Sequence, residues 1–275
     1  MNLIPEIRSG QSIELLKELH ILTRDGKLNQ DSRRKLKQVY HLYNFIEPIL
    51  QTLANEPNKQ FSVVDHGAGK SYLGFILYDL FFKALDQGTI YGIETREELI
   101  KKSQDLSSKL KFKRMTFLNL TVEASITSSE LPEEVDLVTA LHACDTATDD
   151  AIRFGLEKKS KFMVLVPCCQ AEVAAFLKKH KSQNLSSNVL TEIWRHPIHT
   201  REFGSQITNV LRCLELEANG YQVTVTELTG WEHSMKNELI IAQYKDLPRR
   251  YPRERLEALM NELNLEDMKS RFLRN

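Results

Sequence analysis

In the first fifty-five residues, apolar positions recur at helical steps. Leu15, Leu16, Leu19 and Ile21 precede a polar turn at Arg24-Asp25-Gly26. A second helix is expected to start near Asn29-Gln30-Asp31-Ser32, whose side chains can take up the free N–H groups of a first turn. Leu36, Val39, Leu42, Phe45 and Ile49 then follow at three- and four-residue steps, as a helix with one buried face requires. From residue 61 the period changes. FSVVDHG, TIYGIE, RMTFLNL, VDLVTALHA and KFMVLVP read as short strands. The amphipathic segments SYLGFILYDLFFKAL, REELIKKSQDLSSKL, ATDDAIRFGLEK and AEVAAFLKKH read as helices. After a longer insertion, SQITNVLRCLELEANG is expected as a helix stopping at Gly220. YQVTVTEL and ELIIAQY read as strands, and RERLEALMNEL as a charged helical tail.

Strands alternating with helices imply a parallel sheet covered on both faces. The last two strands are joined by TGWEHSMKN, nine residues, too short for a helical crossover, so they are expected to run antiparallel. The fold class expected is α/β: a seven-stranded, mostly parallel Rossmann-like sheet with helices on both faces and an N-terminal helical arm. The expected division is an arm over 1–55, a sheet domain over 56–245 and a tail over 246–275.

Composition narrows the class without naming a function. A chain of 275 residues and 31.8 kDa can bury one large core. Lys plus Arg and Asp plus Glu are both 37, which excludes a polycationic tail protein but leaves room for a local basic face. No apolar run approaches the roughly 18 residues needed to cross a bilayer. The start, MNLIPEIRSGQSIELLKEL, lacks the layout of a secretory signal. Four Cys, two of them adjacent at Cys168 and Cys169, make a poor disulfide framework, so a reduced, cytoplasmic setting is expected.

The first strand runs into Asp65-His66-Gly67-Ala68-Gly69-Lys70-Ser71. A phosphate-wrapping loop ending in Gly69-Lys70-Ser71 would need a glycine where Val64 stands. A dinucleotide turn would need a third glycine at Tyr72. What remains, Asp-x-Gly-x-Gly between strand and helix, resembles motif I of S-adenosylmethionine (SAM) methyltransferases. SAM carries no phosphate but has a zwitterionic methionine end, which two glycines let the backbone approach. Asp65 can face its ammonium group. Glu94 ends the second strand, 29 residues after Asp65, where a carboxylate can accept from both ribose hydroxyls. Ser71 stands where the family usually has a third small residue. The cofactor-binding candidates are Asp65, Gly67, Ala68, Gly69, Glu94, Leu141 and His142.

Two later strand ends sharpen the resemblance. Strand four ends Leu141-His142-Ala143-Cys144-Asp145-Thr146-Ala147-Thr148-Asp149, and strand five ends Val166-Pro167-Cys168-Cys169-Gln170. This His-x-Cys, Ala-Thr-Asp and Cys-Cys set is similar to one class I branch. The branch includes tRNA 2′-O-methyltransferases and the methyltransferase domain linked to a glutathione-S-transferase-like module. Trp231-Glu232-His233-Ser234-Met235-Lys236-Asn237 is similar to that domain's Glu-His-Thr-x-Lys-Asn signature. Asp145, Gln170 and Ser234 depart from the branch pattern, which bears on the substrate rather than on fold or cofactor.

Ligands of open α/β sheets lie at the carboxyl ends of the strands, so Asp65, His142 and Pro167 should converge. The same pocket can take Cys144, Asp145, Cys168, Cys169, His233, Lys236 and Asn237. The catalytic candidates are His142, Lys236, Asp145 and Cys168. His142, Cys144, Cys168 and Cys169 are soft metal ligands, but adjacent cysteines rarely reach one tetrahedral centre, and no metal is expected. A thiolate nucleophile is one route. Direct in-line transfer, with His142 or Lys236 as base or orienter, is the favoured one. Trp194 to Ser205 is read as a segment before the next helix, whose Arg195, His199 and Arg201 can meet phosphate. By resemblance, Lys37 and Gln38 should close over the cofactor. With His233 and Asn237, these are the substrate-binding candidates. RNA is the favoured substrate, against protein or small-molecule methylation or an inactive binding scaffold; the expectation includes no membrane partner and leaves the oligomeric state open.

Overall fold

The structure is a computed structural model that describes residues 5–57, 60–143, 146–167, 170–179, 192–193, 195–228, 238–246 and 251–273. The N-terminal helices are α1 (Ile13–Glu18) and α2 (Gln30–Ala54), and Asn29 caps α2 by accepting from the Ser32 N–H at 2.8 Å. The strands are β1 (Ser62–His66), β2 (Thr89–Ile93), β3 (Met115–Leu118), β4 (Leu137–Ala143), β5 (Phe162–Pro167), β6 (Tyr221–Glu227) and β7 (Glu238–Tyr244). Between and after them lie α3 (Tyr72–Leu80), α4 (Glu97–Leu110), α5 (Val122–Thr127), α6 (Thr146–Glu157), α7 (Glu172–Lys179), α8 (Pro197–Ala218), α9 (Pro252–Glu262) and α10 (Lys269–Phe272).

The seven strands form one sheet in the order β3-β2-β1-β4-β5-β7-β6. All neighbours from β3 to β5 run parallel; β7 runs antiparallel to both β5 and β6. Side chains alternate across the sheet. Val63, Ile90, Leu137, Val164 and Leu239 meet α1, α2, α3 and α4 on one face. Val64, Ile93, Val138, Met163 and Ile240 meet α6 and the end of α8 on the other. The N-terminal helices are thus a covering layer of the core, with Leu15, Ile46, Leu50 and Leu53 fully buried. The C-terminal segment is likewise packed: Leu256, Met260, Leu265 and Phe272 close against Leu211, Leu214 and Val173.

Two expectations change. Residues 197–205 are the first turns of α8 rather than a segment before it. Pro197 at the first helical position has its φ preset for a helix. Thr200, Gly204 and Ser205 are buried, and a Cβ at Gly204 would come within 2.7 Å of Ala174. That glycine lets α8 press onto α7. The second change is α5, which the strand-and-helix reading left out; Thr121 caps it through the Ala124 N–H.

Candidate functional site

The turn after β1 is held open by three left-handed residues: Gly67 at φ +67°, Gly69 at +59° and Ser71 at +49°. The two glycines adopt this conformation without a Cβ penalty; Ser71 does not. A Cβ at Gly67 would meet nothing within 4 Å, so that face of the turn stands free for a ligand. Ala68 N–H donates to the Ile93 carbonyl at 2.9 Å, which ties the turn to the end of β2.

Glu94 follows β2 and is 6% exposed. Its carboxylate accepts from Gly69 N–H at 2.8 Å, Thr95 N–H at 3.0 Å and Arg96 N–H at 3.1 Å. The Arg96 guanidinium grips both oxygens at 3.0 Å, a two-pronged charge-assisted pair. Burial works to raise the Glu94 pKa, but the Arg96 hydrogen bonds and charge and the backbone donors bring it down to about 2. The carboxylate therefore stays ionised at any physiological pH. Any ligand hydroxyl it accepts from must share it with Arg96.

Glu94 lines a cavity of about 360 Å³ with His66, Gly67, Ile93, Thr95, Arg96, Leu120, Val122, Ala147 and Asp150. The lining combines charged and polar residues, Glu94, Thr95, Arg96 and Asp150, with apolar Ile93, Leu120, Val122 and Ala147. A nucleoside combines the same two characters, a hydroxyl-bearing sugar and a flat base. Asp65 is not among the lining residues. It is 2% exposed and lies under the turn, where the Thr139 hydroxyl donates to it at 3.0 Å. Burial pushes its carboxyl up to about 7 against the hydrogen bonds of Thr139 and the Gly74 N–H. In this structure Asp65 holds the turn from beneath.

Asp149 and Gln170 are tied into a buried network. Asp149 accepts from buried Arg212 at 2.7 and 2.9 Å and from Arg271 Nε at 3.1 Å. Arg271 also pairs with Glu172. Arg212 Nη1 reaches Asn209 Oδ1 at 3.1 Å, and Gln170 donates to the same oxygen at 3.0 Å. Ser205 donates to Gln170 at 2.7 Å, and Asn209 donates to Glu238 at 2.7 Å. One buried network thus ties α6, α8, the end of β5, the start of β7 and the C-terminal segment together. Burial works to raise the Asp149 pKa, but Arg212 and Arg271 hold it below the usual carboxylate range.

The structure places the other sequence candidates as follows. Leu141 and the His142 backbone lie near the end of β4, and Ala143 is in register with Pro167 of β5 across a local irregularity. The two strand ends expected to converge are therefore adjacent. The His142 side chain, Cys144, Asp145, Cys168, Cys169, His233, Lys236 and Asn237 lie outside the described residues. Lys37 does not reach the cavity: it lines a separate depression with Glu6, Arg33, Leu36 and Tyr40. Gln38, next to it, is not among the cavity residues either. Two residues earlier, and about 200° round the helix, Lys35 lines a groove of about 640 Å³ that also contains Lys70, Tyr72, Lys102 and Lys109. Arg195, His199 and Arg201 are exposed near the start of α8, where Arg195 pairs with Glu192 at 2.9 Å and Arg201 with Glu202 at 3.0 Å. His66, Arg96, Leu120 and Val122 were not foreseen, although their places beside the glycine turn and the strand ends mark them.

A family described as methyltransferase domains matches residues 34–176, more than half of the chain. The chain belongs to that family. With the strand order above and the Asp-x-Gly-x-Gly turn, it is a SAM-dependent methyltransferase of class I. Among solved structures it is similar to magnesium protoporphyrin IX methyltransferase from Synechocystis PCC 6803 with bound S-adenosylhomocysteine (SAH): 14% identity over 84% of this chain and 94% of that one, TM-score 0.48. An rRNA methylase from Streptococcus thermophilus matches at 9% identity over 74% and 95%, TM-score 0.44. A putative caffeoyl-CoA O-methyltransferase from Staphylococcus aureus matches at 10% identity over 85% and 92%, TM-score 0.44. No curated relative matches the chain.

Among the described residues, no group of His, Cys, Asp and Glu could hold a metal ion, and no helix is long and apolar enough to cross a membrane.

Proposed function

We propose that this domain transfers the methyl group of SAM to RNA. The observation that carries the cofactor placement is the cavity joining Gly67 to Glu94: an ionised carboxylate at a strand end, a glycine turn open beside it, and apolar residues in the same lining. In this reading Glu94 accepts from the ribose hydroxyls, Gly67, Ala68 and Gly69 let the backbone approach the methionine part, and Leu141 and His142 border the methyl group. Bound SAM supplies a sulfonium-activated methyl group. The chain's task is then to hold the acceptor atom in line with the S–CH3 bond and to take a proton from it where it carries one. His142 and Lys236 are the proposed base and orienter, and Asp145 and Cys168 are the further catalytic candidates.

RNA is favoured over protein or a small molecule by the branch motifs at His142 to Asp149 and by the basic groove beside the turn. There Lys35, Lys70, Lys102 and Lys109 outnumber Glu18 and Asp105. Arg195, His199 and Arg201 provide a second exposed set that phosphates can meet.

Calorimetry should show SAH binding to the wild-type chain and none to Gly67→Arg, since the added side chain is strained at positive φ and fills the ligand's place. Labelled SAM incubated with total RNA, protein lysate and metabolites sorts the acceptor. Label in RNA is expected; label confined to protein or metabolites rejects the RNA reading and leaves the cofactor site standing.

A further inference from the structure

The groove beside the glycine turn is bounded by the C-terminal end of α1, the start of α2, the turn itself and α4. Four lysines and two carboxylates line its 640 Å³, an excess of two positive charges in a chain whose formal charge is zero. The cations of this region divide by position. Arg33 pairs with Glu6 at 2.9 Å, Arg34 with Asp31 at 3.7 Å and Lys101 with Glu97 at 2.7 Å. Lys109, at one end of the α4 stripe, is held by Glu14 at 3.2 Å and Glu18 at 2.6 Å. Lys35, Lys70 and Lys102 line the groove and have no acidic partner among the described residues. All three are exposed and come from α2, the turn and α4, so packing does not force them together. Like charges around one concave surface repel each other, and they focus a field on any anion that enters. Exposed His20, held at φ +55°, lines the same groove and offers a ring on which a base can stack.

We propose that this groove holds the sugar-phosphate backbone of the acceptor RNA, with Lys35, Lys70 and Lys102 as its phosphate contacts and His20 beside a base. This placement deepens the RNA reading above and rests on it. A phosphodiester chain brings one negative charge per nucleotide whatever its sequence, and lysine meets phosphate as a point charge. An acidic peptide would match the lysines but bring no base to His20. Gly67 lines the cofactor cavity and Lys70, three residues on, lines the groove, so the two share the turn. A strand lying in the groove and crossing the turn leads to the cofactor.

The test uses the full chain and a fluorescein-labelled single-stranded RNA of about twenty nucleotides, followed by anisotropy across a salt series. Two triple variants remove the same charge from neighbouring positions. One is Lys35→Gln/Lys70→Gln/Lys102→Gln in the groove; the other is Arg33→Gln/Arg34→Gln/Lys101→Gln, whose cations are already paired. Losing three phosphate contacts should lower the salt slope by about 2 and weaken RNA about a hundredfold at roughly 0.1 M salt. The paired triple should stay within about threefold of wild type with its slope unchanged. SAH calorimetry on each variant reports whether the turn is intact. Should the groove triple lose SAH, Lys35→Gln/Lys102→Gln, which leaves the turn untouched, takes its place and should still lower the slope by about 1.4. Equal losses in the two triples overturn the proposal. So does competition by inorganic triphosphate or poly-glutamate as strong as that of unlabelled RNA, which assigns the groove to a small polyanion or an acidic protein. If wild type binds SAH but no RNA, the RNA reading falls first and this inference with it, and the cofactor site stands.

Discussion

Two polar clusters of this domain differ in how completely they are satisfied. Around Asp149, the carboxylate, two guanidiniums, two amides and a hydroxyl partner one another in closed order. Around the Gly67 turn, His66 has no partner, Gly67 faces open space, and Arg96 reaches Glu94 from a side chain that is 60% exposed. A closed network fixes elements in place. An incomplete one leaves an exposed cation and an open turn face beside a cavity. Asp149 of the Ala-Thr-Asp segment thus belongs to the scaffold, while Ala147 of the same segment lines the cavity with Glu94.

Breaking the closed cluster should have the largest effect. Arg212→Met leaves Asp149 buried with one cation fewer and is expected to destabilise the fold by about 3–5 kcal/mol in urea unfolding. Stability within about 1 kcal/mol of wild type would show that Arg271 alone suffices. In the open cluster the effect moves from stability to binding. Glu94→Ala should weaken SAH by about 100-fold, because two hydrogen bonds to a charged acceptor are lost. Since Glu94 titrates near 2, well below its unfolded value, it contributes stability above about pH 4.5 that is lost as pH falls toward 2.

Asp65 has the opposite sign. Its folded pKa, about 7, lies above the unfolded value, so the native state binds the extra proton between about pH 4 and 7. Stability should fall by roughly 4 kcal/mol as pH rises through that window. Asp65→Asn should flatten this part of the urea-midpoint curve; an unchanged slope would assign it to other groups. The smallest effect is at Ser71. Ser71→Gly relieves a left-handed serine and should stabilise the chain by about 1 kcal/mol in the same assay. A loss of stability there would mean that the buried hydroxyl contributes more than the backbone conformation costs.

Much of the fold was legible because its strands are short apolar runs between polar turns, and a sheet covered on both faces needs such runs. The reversed β7 followed from the length of one link. The start of α8 was missed because Arg195 to Arg201 look like a basic loop, whereas Pro197 and the buried Gly204 only acquire meaning against Ala174. The resemblance puts Lys37 and Gln38 over the cofactor; in the structure Lys37 lines a depression of its own and Lys35 faces the basic groove, a division of sides that the run of basic residues at the start of α2 does not reveal. Glu94 was readable because a strand-ending acid after a glycine turn has a recognisable spacing.

Arg271 lies near the far end of the numbered chain, yet it reaches Asp149 at the start of α6, 122 positions earlier. During synthesis the sheet from β1 to β5 can leave the ribosome long before that guanidinium does. The nascent domain therefore emerges with an under-neutralised acid at its centre, and its final locking awaits almost the last residues described. Truncations or fusions that displace this segment should trap a chain whose strands are paired but whose helices α6 and α8 are not yet clamped.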